Sequence, residues 1–342
     1  MSTTTGPDQS IDVLIVAIPE TAGSALYGMV DVLSATGSLW PTLLRSEPVR
    51  PCFRVRIVSP DGALFSCGHR IPVNPDCAVA DDPFAPIVIL PELWLGPDET
   101  FNGRHPDLIA WIRRCHERGA TLYSACSGAI LLAETGLLDG CPATSHWGYA
   151  DLFRQRFPRV RFDAAPNLVY ADAQGSIVTA GGTTSWHDLA LHLIARYVNP
   201  GEARRIAKVY LLKWHAEGEL PYTALVRPLP HDDAVVRRTE GFLREHFADP
   251  AAIAAAIAAA GVPERTLKRR FRTATGLPLI DYLQNLRIEH GKDLLETSDL
   301  PVEAISVESG YSDASFFRRL FQRRVGLSPG AYRRMFQALP QP

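Results

Sequence analysis

ATLYSACSGAILLAETGLL, residues 120 to 138, opens as a buried strand, stops at Cys126 and restarts as a helix at Ser127, with two small residues, Ser127 and Gly128, at the corner. Cys126 is either a nucleophile, a wall of a ligand pocket or a small residue that fits a crowded turn. Which of these it is decides whether the protein is an enzyme.

Working outward, the first half alternates Val- and Ile-rich runs with amphipathic segments. The strand-like runs are IDVLIVAI (11–18), FRVRIVS (53–59), IVILP (87–91), NLVYAD (167–172) and SIVTA (176–180); helices are expected over about 22–36, 106–118 and 184–198. This pattern predicts a mostly parallel sheet covered on both faces, an α/β flavodoxin-like domain over 11–215. Residues 1–10 read as a disordered polar tail. Residues 216–232, with Gly218, Pro221, Pro228 and Pro230, read as an interdomain linker. After it the chain reads as entirely helical over 233–338.

The 342 residues suffice for two domains, each able to bury its own core. No apolar run approaches the roughly 20 residues needed to cross a bilayer, and MSTTTGPDQS (1–10) has no signal-peptide pattern, so the expected location is the cytoplasm. The cysteines Cys52, Cys67, Cys77, Cys115, Cys126 and Cys141 form no C-x-x-C pair and have no metal-finger spacing with His. Neither a metal, another cofactor nor a disulfide framework is expected.

The net charge of −2 conceals an asymmetry: from residue 233 onward about 16 Lys plus Arg face about 13 Asp plus Glu, which leaves the first part acidic. Basic residues bunch in RTLKRRFR (265–272), RRLFQRR (318–324) and YRR (332–334). An internal repeat organises them. Shifted by about 50 residues, VPERTLKRRFRTATGLP falls on SDASFFRRLFQRRVGLS, matching Lys268 with Arg318, Arg269 with Arg319, Phe271 with Phe321, Gly276 with Gly326 and Tyr282 with Tyr332.

Each copy has a short helix, a Gly-containing turn and a second helix carrying the basic cluster, the order of a helix-turn-helix. In the second helices Leu267 with Phe271, and Phe317 with Phe321, form a core face. The opposite face leaves Pro263, Arg265, Thr266, Lys268 and Arg269 in one copy, and Ser312, Ala314, Ser315, Arg318 and Arg319 in the other, to meet base edges and phosphates of double-stranded DNA. The segment 279–298 is expected to be the helix that holds the two units together. Gly291 within it costs up to about 1 kcal/mol against Ala.

Residues 233–338 resemble the AraC/XylS family of transcription regulators, most closely in GYSDASFFRRLFQRRVGLSPGAYRRMF. The resemblance implies two helix-turn-helix units read into successive major grooves of promoter DNA. Pro263 and Glu264 stand where that family usually starts its first recognition helix with Ser; Pro is tolerated at the first helical position, but the side-chain cap is lost. Ser306 replaces a usual Ala.

The first half resembles the class I glutamine amidotransferase-like (PfpI-like) superfamily through YGMVDVLSATG (27–37), SACSGAILLAETGLLDG (124–140), ATSHW (143–147) and TAGGTTSWHDLALHLI (179–194). The whole chain is similar to the GlxA-type regulators that fuse the two. The resemblance implies a small-molecule effector, amino acid or amine-like as in relatives, a homodimer, and contact with RNA polymerase at the promoter.

A catalytic elbow needs a thiol of lowered pKa, an acid or base against it, and oxyanion donors. Cys126 at the start of the Ser127 helix meets the first condition. Relatives bring an acid to the thiol from a position that is Ala25 here. Glu20 is a possible substitute, and His146 the remaining basic candidate. The reading is a non-catalytic sensor with Cys126, Ser127, Gly128, His146, Trp147 and Ala25 around the ligand. The N–H groups of Ser127 and Gly128 would suit a carboxylate, while a Trp beside them could stack on an amine. The alternative is a cysteine-dependent hydrolase or hydratase with an appended DNA-binding domain.

Overall fold

The computed structural model describes residues 10–45, 48–96, 99, 101, 103–226 and 231–337. Most of the expected tail (residues 1–9), and Pro228 and Pro230 of the expected linker, lie outside them. The contacts divide the chain into two units, Met1–Glu219 and Leu220–Pro342, a boundary that falls within the segment expected as the linker.

In chain order the first unit runs β1 (Ile11–Val16), α1 (Gly23–Ala35), α2 (Leu39–Leu44), β2 (Phe53–Ser59), β3 (Phe65–Cys67), β4 (Ile71–Val73), β5 (Cys77–Ala78), β6 (Ile87–Leu90) and α3 (Pro106–Glu117). It continues through β7 (Thr121–Ala125), α4 (Ala129–Glu134), β8 (Pro142–Ala143), α5 (Ala150–Arg156), β9 (Arg161–Phe162), β10 (Leu168–Tyr170), β11 (Ile177–Ala180), α6 (Trp186–Tyr197) and α7 (Pro200–Tyr210). Among the described residues seven strands form the main sheet in the order β10-β11-β7-β6-β1-β2-β5. All pairs are parallel except β10 with β11.

Alternation along β1 shows how the sheet is covered. Leu14 and Val16 enter one core with Trp111, Ile112 and Phe153, whereas Val13 and Ile15 enter the other with Leu26, Met29 and Leu193. Side chains point to opposite faces of a strand, so a strand buried on both faces must be apolar throughout, as Ile87–Leu90 is. This is the α/β flavodoxin-like, mostly parallel class. The short α2, the β3–β4 hairpin, α5 and α7 were not anticipated from sequence.

Among its described residues the second unit is helical, without strands: α8 (Ala234–His246), α9 (Ala252–Ala259), α10 (Glu264–Thr275), α11 (Leu279–Thr297), α12 (Val302–Glu308), α13 (Ala314–Val325) and α14 (Pro329–Phe336). Gly261 and Gly310, in the turns before α10 and α13, have φ of +69° and +80°, which glycine adopts without the Cβ clash. Two small cores form, one around Leu267 and Phe271, the other around Phe317 and Phe321, with α11 contributing Tyr282 and Leu283 to the first and Ile288 and Leu295 to the second. Phe271 meets Tyr282 edge-on at 5.2 Å, and Phe321 meets Tyr332 likewise at 5.5 Å, so the sequence repeat is also a packing repeat. Gly291 is where α11 passes beneath Phe317: a Cβ there would lie 3.0 Å from the ring. Ser306 is fully buried and donates to the Tyr311 carbonyl.

Candidate functional site

In the sheet order the chain leaves β1 toward β2 on one side and returns to β6 on the other, so the winding direction switches between β1 and β6. Ligand crevices in open α/β sheets lie at the carboxyl ends of strands beside such a switch. The loops there carry Glu20 after β1, Glu92 after β6, Cys126 after β7 and Thr183 after β11.

Cys126 has φ of +53°, a left-handed conformation uncommon for a residue with a side chain, and the chain passes through one tight 3₁₀ turn, Cys126–Gly128, before α4 begins. Several contacts hold this strained corner. Ser127 Oγ accepts from Leu93 N–H and donates to Leu93 O, both at 2.7 Å. Ser145 Oγ donates to Cys126 O at 2.8 Å. Gly128 packs so tightly on the Leu90 and Pro91 carbonyls that a Cβ would collide with them.

Several expectations are corrected here. Cys126 is 1% exposed, and burial followed by the neighbouring Glu92 charge pushes its thiol pKa up, although the Ser127 N–H donates toward it. Burial outweighs the lowering expected from the helix start. The acid missing at Ala25, which is fully buried in α1, comes from another loop: Cys126 Sγ lies 3.6 Å from Glu92 Oε1. Glu92 is 7% exposed, and burial raises its pKa while hydrogen bonds from Thr183 and Cys126 oppose the rise. Glu20 does not replace it, since its carboxylate pairs with Arg104 at 3.1 Å and His105 at 3.3 Å.

The remaining elbow residues divide by exposure. Ser127 and Gly128 are buried, and Ser127's side chain is committed to Leu93. His146 and Trp147 are half-buried; His146 Nδ1 accepts from Gly148 N–H at 3.0 Å, and its ring lies 4.9 Å from that of Trp147. Trp186 packs over α1 at Gly28, where a Cβ would strike the indole. Sequence reasoning missed Glu92, Thr183 and Tyr149, whose pKa is raised first by burial and then by the nearby Cys126 and Glu92. Glu92 had a legible signal, an acid two positions past a wholly apolar strand, and Thr183 lies within the quoted TAGGTTSWHDLALHLI (179–194); Tyr149 had none.

In the second unit α10 exposes Arg265, Lys268 and Arg269 with Thr266 half-buried, and α13 exposes Ser315, Arg318 and Arg319 with Ala314 half-buried; Ser312 is exposed in the preceding turn. Pro263 occupies the N-cap of α10 rather than its first helical position, because Glu264 begins the helix; no side-chain cap replaces it. In the second copy Asp313 caps α13 by accepting from Ser315 N–H at 2.8 Å. Not every arginine in the basic clusters faces outward. Arg270 forks onto Asp233 at 2.6 and 2.7 Å, and Arg324 reaches Asp281 at 2.5 Å, both fastening helices together. Lys268 pairs with Glu264, and Arg318 with Glu303. Beside α10 lies an open groove of about 800 Å³ lined by Arg269, Arg272, Thr273 and Ile280 among others.

Residues 42–196 match the DJ-1/PfpI family and residues 257–335 match a helix-turn-helix domain. The HTH-type transcriptional regulator GlxA of Rhizobium meliloti is 30% identical over 228 residues, which span 65% of this chain and 68% of that protein. The chain belongs to the GlxA-type HTH transcriptional regulators. Two similar proteins of Pseudomonas aeruginosa extend the match. The HTH-type regulator CdhR is 26% identical over 278 residues, 81% of this chain and 80% of its own, and GbdR is 21% identical over 326 residues, 95% and 86% respectively. As a GlxA-type regulator the protein carries an AraC-type DNA-binding unit behind a DJ-1/PfpI unit. No helix among its described residues is long and apolar enough to cross a membrane.

Proposed function

We propose that the protein is a one-component, cytoplasmic transcription regulator whose DJ-1/PfpI unit binds a small metabolite without turning it over. The observation that carries the non-catalytic reading is the setting of Cys126: it is 1% exposed and lies beside the Glu92 carboxyl group, and burial and that charge both push its thiol pKa up, against the thiolate a nucleophile needs. Glu92, Cys126 and Thr183 form the floor of the ligand site, with His146 and Trp147 at its edge. An amino acid or amine suits this setting, because a ligand cation would offset the burial that disfavours the Glu92 carboxylate, and an indole accepts a cation on its face.

On the DNA side, α10 and α13 enter successive major grooves of promoter DNA. Arg265, Thr266, Lys268 and Arg269, and Ser312, Ala314, Ser315, Arg318 and Arg319, make the contacts, while Pro263 opens the first helix toward the duplex. The protein acts as a homodimer that engages RNA polymerase at the promoter.

The test is a thermal-shift screen against amino acids, small carboxylates and amines, run with Cys126→Ala in parallel. Saturation at 100 times Kd is worth about 2.7 kcal/mol. Ligand recovered intact after hours supports the sensor. One observation favours the other reading, a hydrolase or hydratase, namely the 3.6 Å approach of Cys126 to Glu92. Ligand consumed by wild type and not by Cys126→Ala would establish it.

A further inference from the structure

The two helix-turn-helix copies share their glycine turns and core aromatics but not the surface beside their second helices. In the first copy the groove of about 800 Å³ is lined by Ile253 of α9, by Lys268, Arg269 and Arg272 of α10, and by Leu279 and Ile280 at the start of α11. All of it belongs to the second unit. Shifted by 50 residues, the same positions in the second copy are Glu303, Arg318, Arg319, Gln322, Pro329 and Gly330. The cations at 268 and 269 are kept, whereas both isoleucines and the third cation are not. The module therefore folds, and presents its basic helix, without an isoleucine at either place. Ile280 is 50% exposed, Ile253 half-buried and Leu279 buried. One exposed isoleucine needs no explanation, but two of them with three cations around one concavity have the size and the mixed lining of a small-ligand site.

The charges on the two copies say which ligand. In the second copy the chain supplies its own acid: Glu303, at the position of Ile253, pairs with Arg318. In the first, Ile253 supplies none. Lys268 pairs instead with Glu264 in its own helix and Arg270 with Asp233, while Arg269 and Arg272 pair with no acid among the described residues. The first groove thus has an aliphatic floor where the second copy has a carboxylate, and two cations that no carboxylate of the described chain neutralises. DNA phosphates would satisfy those cations but make no use of the floor. The complementary molecule carries a carboxylate on an aliphatic body.

We infer that this groove binds an aliphatic carboxylic acid, its carboxylate on Arg269 and Arg272 and its chain over Ile253, Leu279 and Ile280, and that the occupant competes with DNA for Arg269. The ligand does for the first copy what Glu303 does for the second, holding a basic side chain of the proposed DNA-facing helix on a carboxylate. Charge-assisted hydrogen bonds fix the head, and burial of the chain contributes in proportion to its length. The site is separate from the Cys126 elbow and stands whether or not the elbow senses a metabolite. Only the competition rests on reading α10 as a DNA-facing helix.

The probe is sodium octanoate, titrated calorimetrically into the full chain, with 1-octanol lacking the charge and butyrate lacking the chain length. Octanoate is expected to bind at one site per chain, with octanol and butyrate each weaker by about tenfold or more. Arg272→Gln and Ile280→Ser, both at exposed positions, should each weaken octanoate binding about tenfold. Ile253→Glu, which installs the second copy's carboxylate, should abolish it; if that variant fails to fold by near-ultraviolet circular dichroism, the two exposed variants decide. In fluorescence anisotropy, saturating octanoate should raise the Kd for a labelled promoter fragment about tenfold, the loss expected from one charge contact, and Ile280→Ser should remove this effect. Absence of octanoate binding, octanol binding as tightly as octanoate, or octanoate binding that ignores both exposed variants and so lies elsewhere, the elbow included, overturns the site. An acidic amphipathic peptide that binds the groove when octanoate does not makes it a protein-docking surface and overturns the small-acid assignment. Octanoate bound in the groove with DNA affinity unchanged overturns the competition if Arg269→Ala does weaken DNA binding; if Arg269→Ala leaves it unchanged too, it is the DNA-facing reading of α10 that fails.

Discussion

Arg318, matched by the internal repeat to Lys268, pairs on the free protein with Glu303 of the preceding helix, whereas Lys268 pairs with Glu264 within its own helix. The two basic residues proposed to meet DNA are thus neutralised by different partners. To contact a phosphate, Arg318 must leave a carboxylate on α12, the first helix of its own helix-turn-helix.

Glu303→Gln should therefore strengthen binding to promoter DNA several-fold at low salt, since the competing carboxylate is lost and the partly exposed pair contributes little to stability. Fluorescence anisotropy against a labelled promoter fragment measures this. Weaker binding would show that Glu303 orients Arg318 rather than competing for it.

Arg269→Ala and Arg318→Ala are each expected to weaken DNA binding and to make the plot of log K against log salt shallower by about one unit. Unchanged affinity and slope in both variants would reject α10 and α13 as the DNA-facing helices.

Glu92→Gln should lower the pKa of the Cys126 thiol, because it removes the charge that acts with burial to hold it up. The readout is the midpoint of the pH profile of alkylation in a variant whose other cysteines are replaced by serine or alanine. A fall of one unit corresponds to about tenfold more thiolate at a given pH below the midpoint. A midpoint that stays put would mean that burial alone sets the thiol.

Two carboxyl groups give pH dependences of opposite sign. Arg270 leads the causes that hold Asp233 down to about 2, so its contribution to unit 2 is present above the ordinary Asp range and lost as pH falls toward 2. Burial, then the Asp188 charge, pushes Glu219 up to about 8, so unit 1 loses stability as pH rises from the ordinary Glu range to about 8. His215 beside Asp188 faces the same cluster. Urea melts at several pH values should show both slopes, with the Asp233 slope absent in Asp233→Asn and the Glu219 slope absent in Glu219→Gln. A slope that persists in the matching variant assigns it to another group.

Gly291→Ala sets helix propensity against packing. Propensity alone predicts a gain of up to about 1 kcal/mol. The 3.0 Å approach of the added Cβ to Phe317 predicts that overpacking wins, with a net loss on the order of 1 kcal/mol and a lower melting temperature for unit 2. A stabilised variant would mean that the Phe317 ring shifts freely.

What the sequence determined by itself was whatever repeats or alternates locally. The apolar runs and their helical spacers specified a mostly parallel sheet, and the 50-residue repeat specified two helix-turn-helix units. Core and surface faces followed from periods of two and 3.6 residues. The elbow at Cys126 was legible because its strand, small residues and helix are contiguous. What only the tertiary structure decided depends on residues far apart in the chain: Glu92 against a cysteine 34 positions later, Arg270 on a carboxylate 37 positions earlier, and Glu219 on Gly181. Those pairings also decided the chemistry. A helix start lowers a thiol's pKa in water-accessible settings, but at Cys126 burial and a neighbouring acid outweigh it, and both arise only when distant strands close into one sheet.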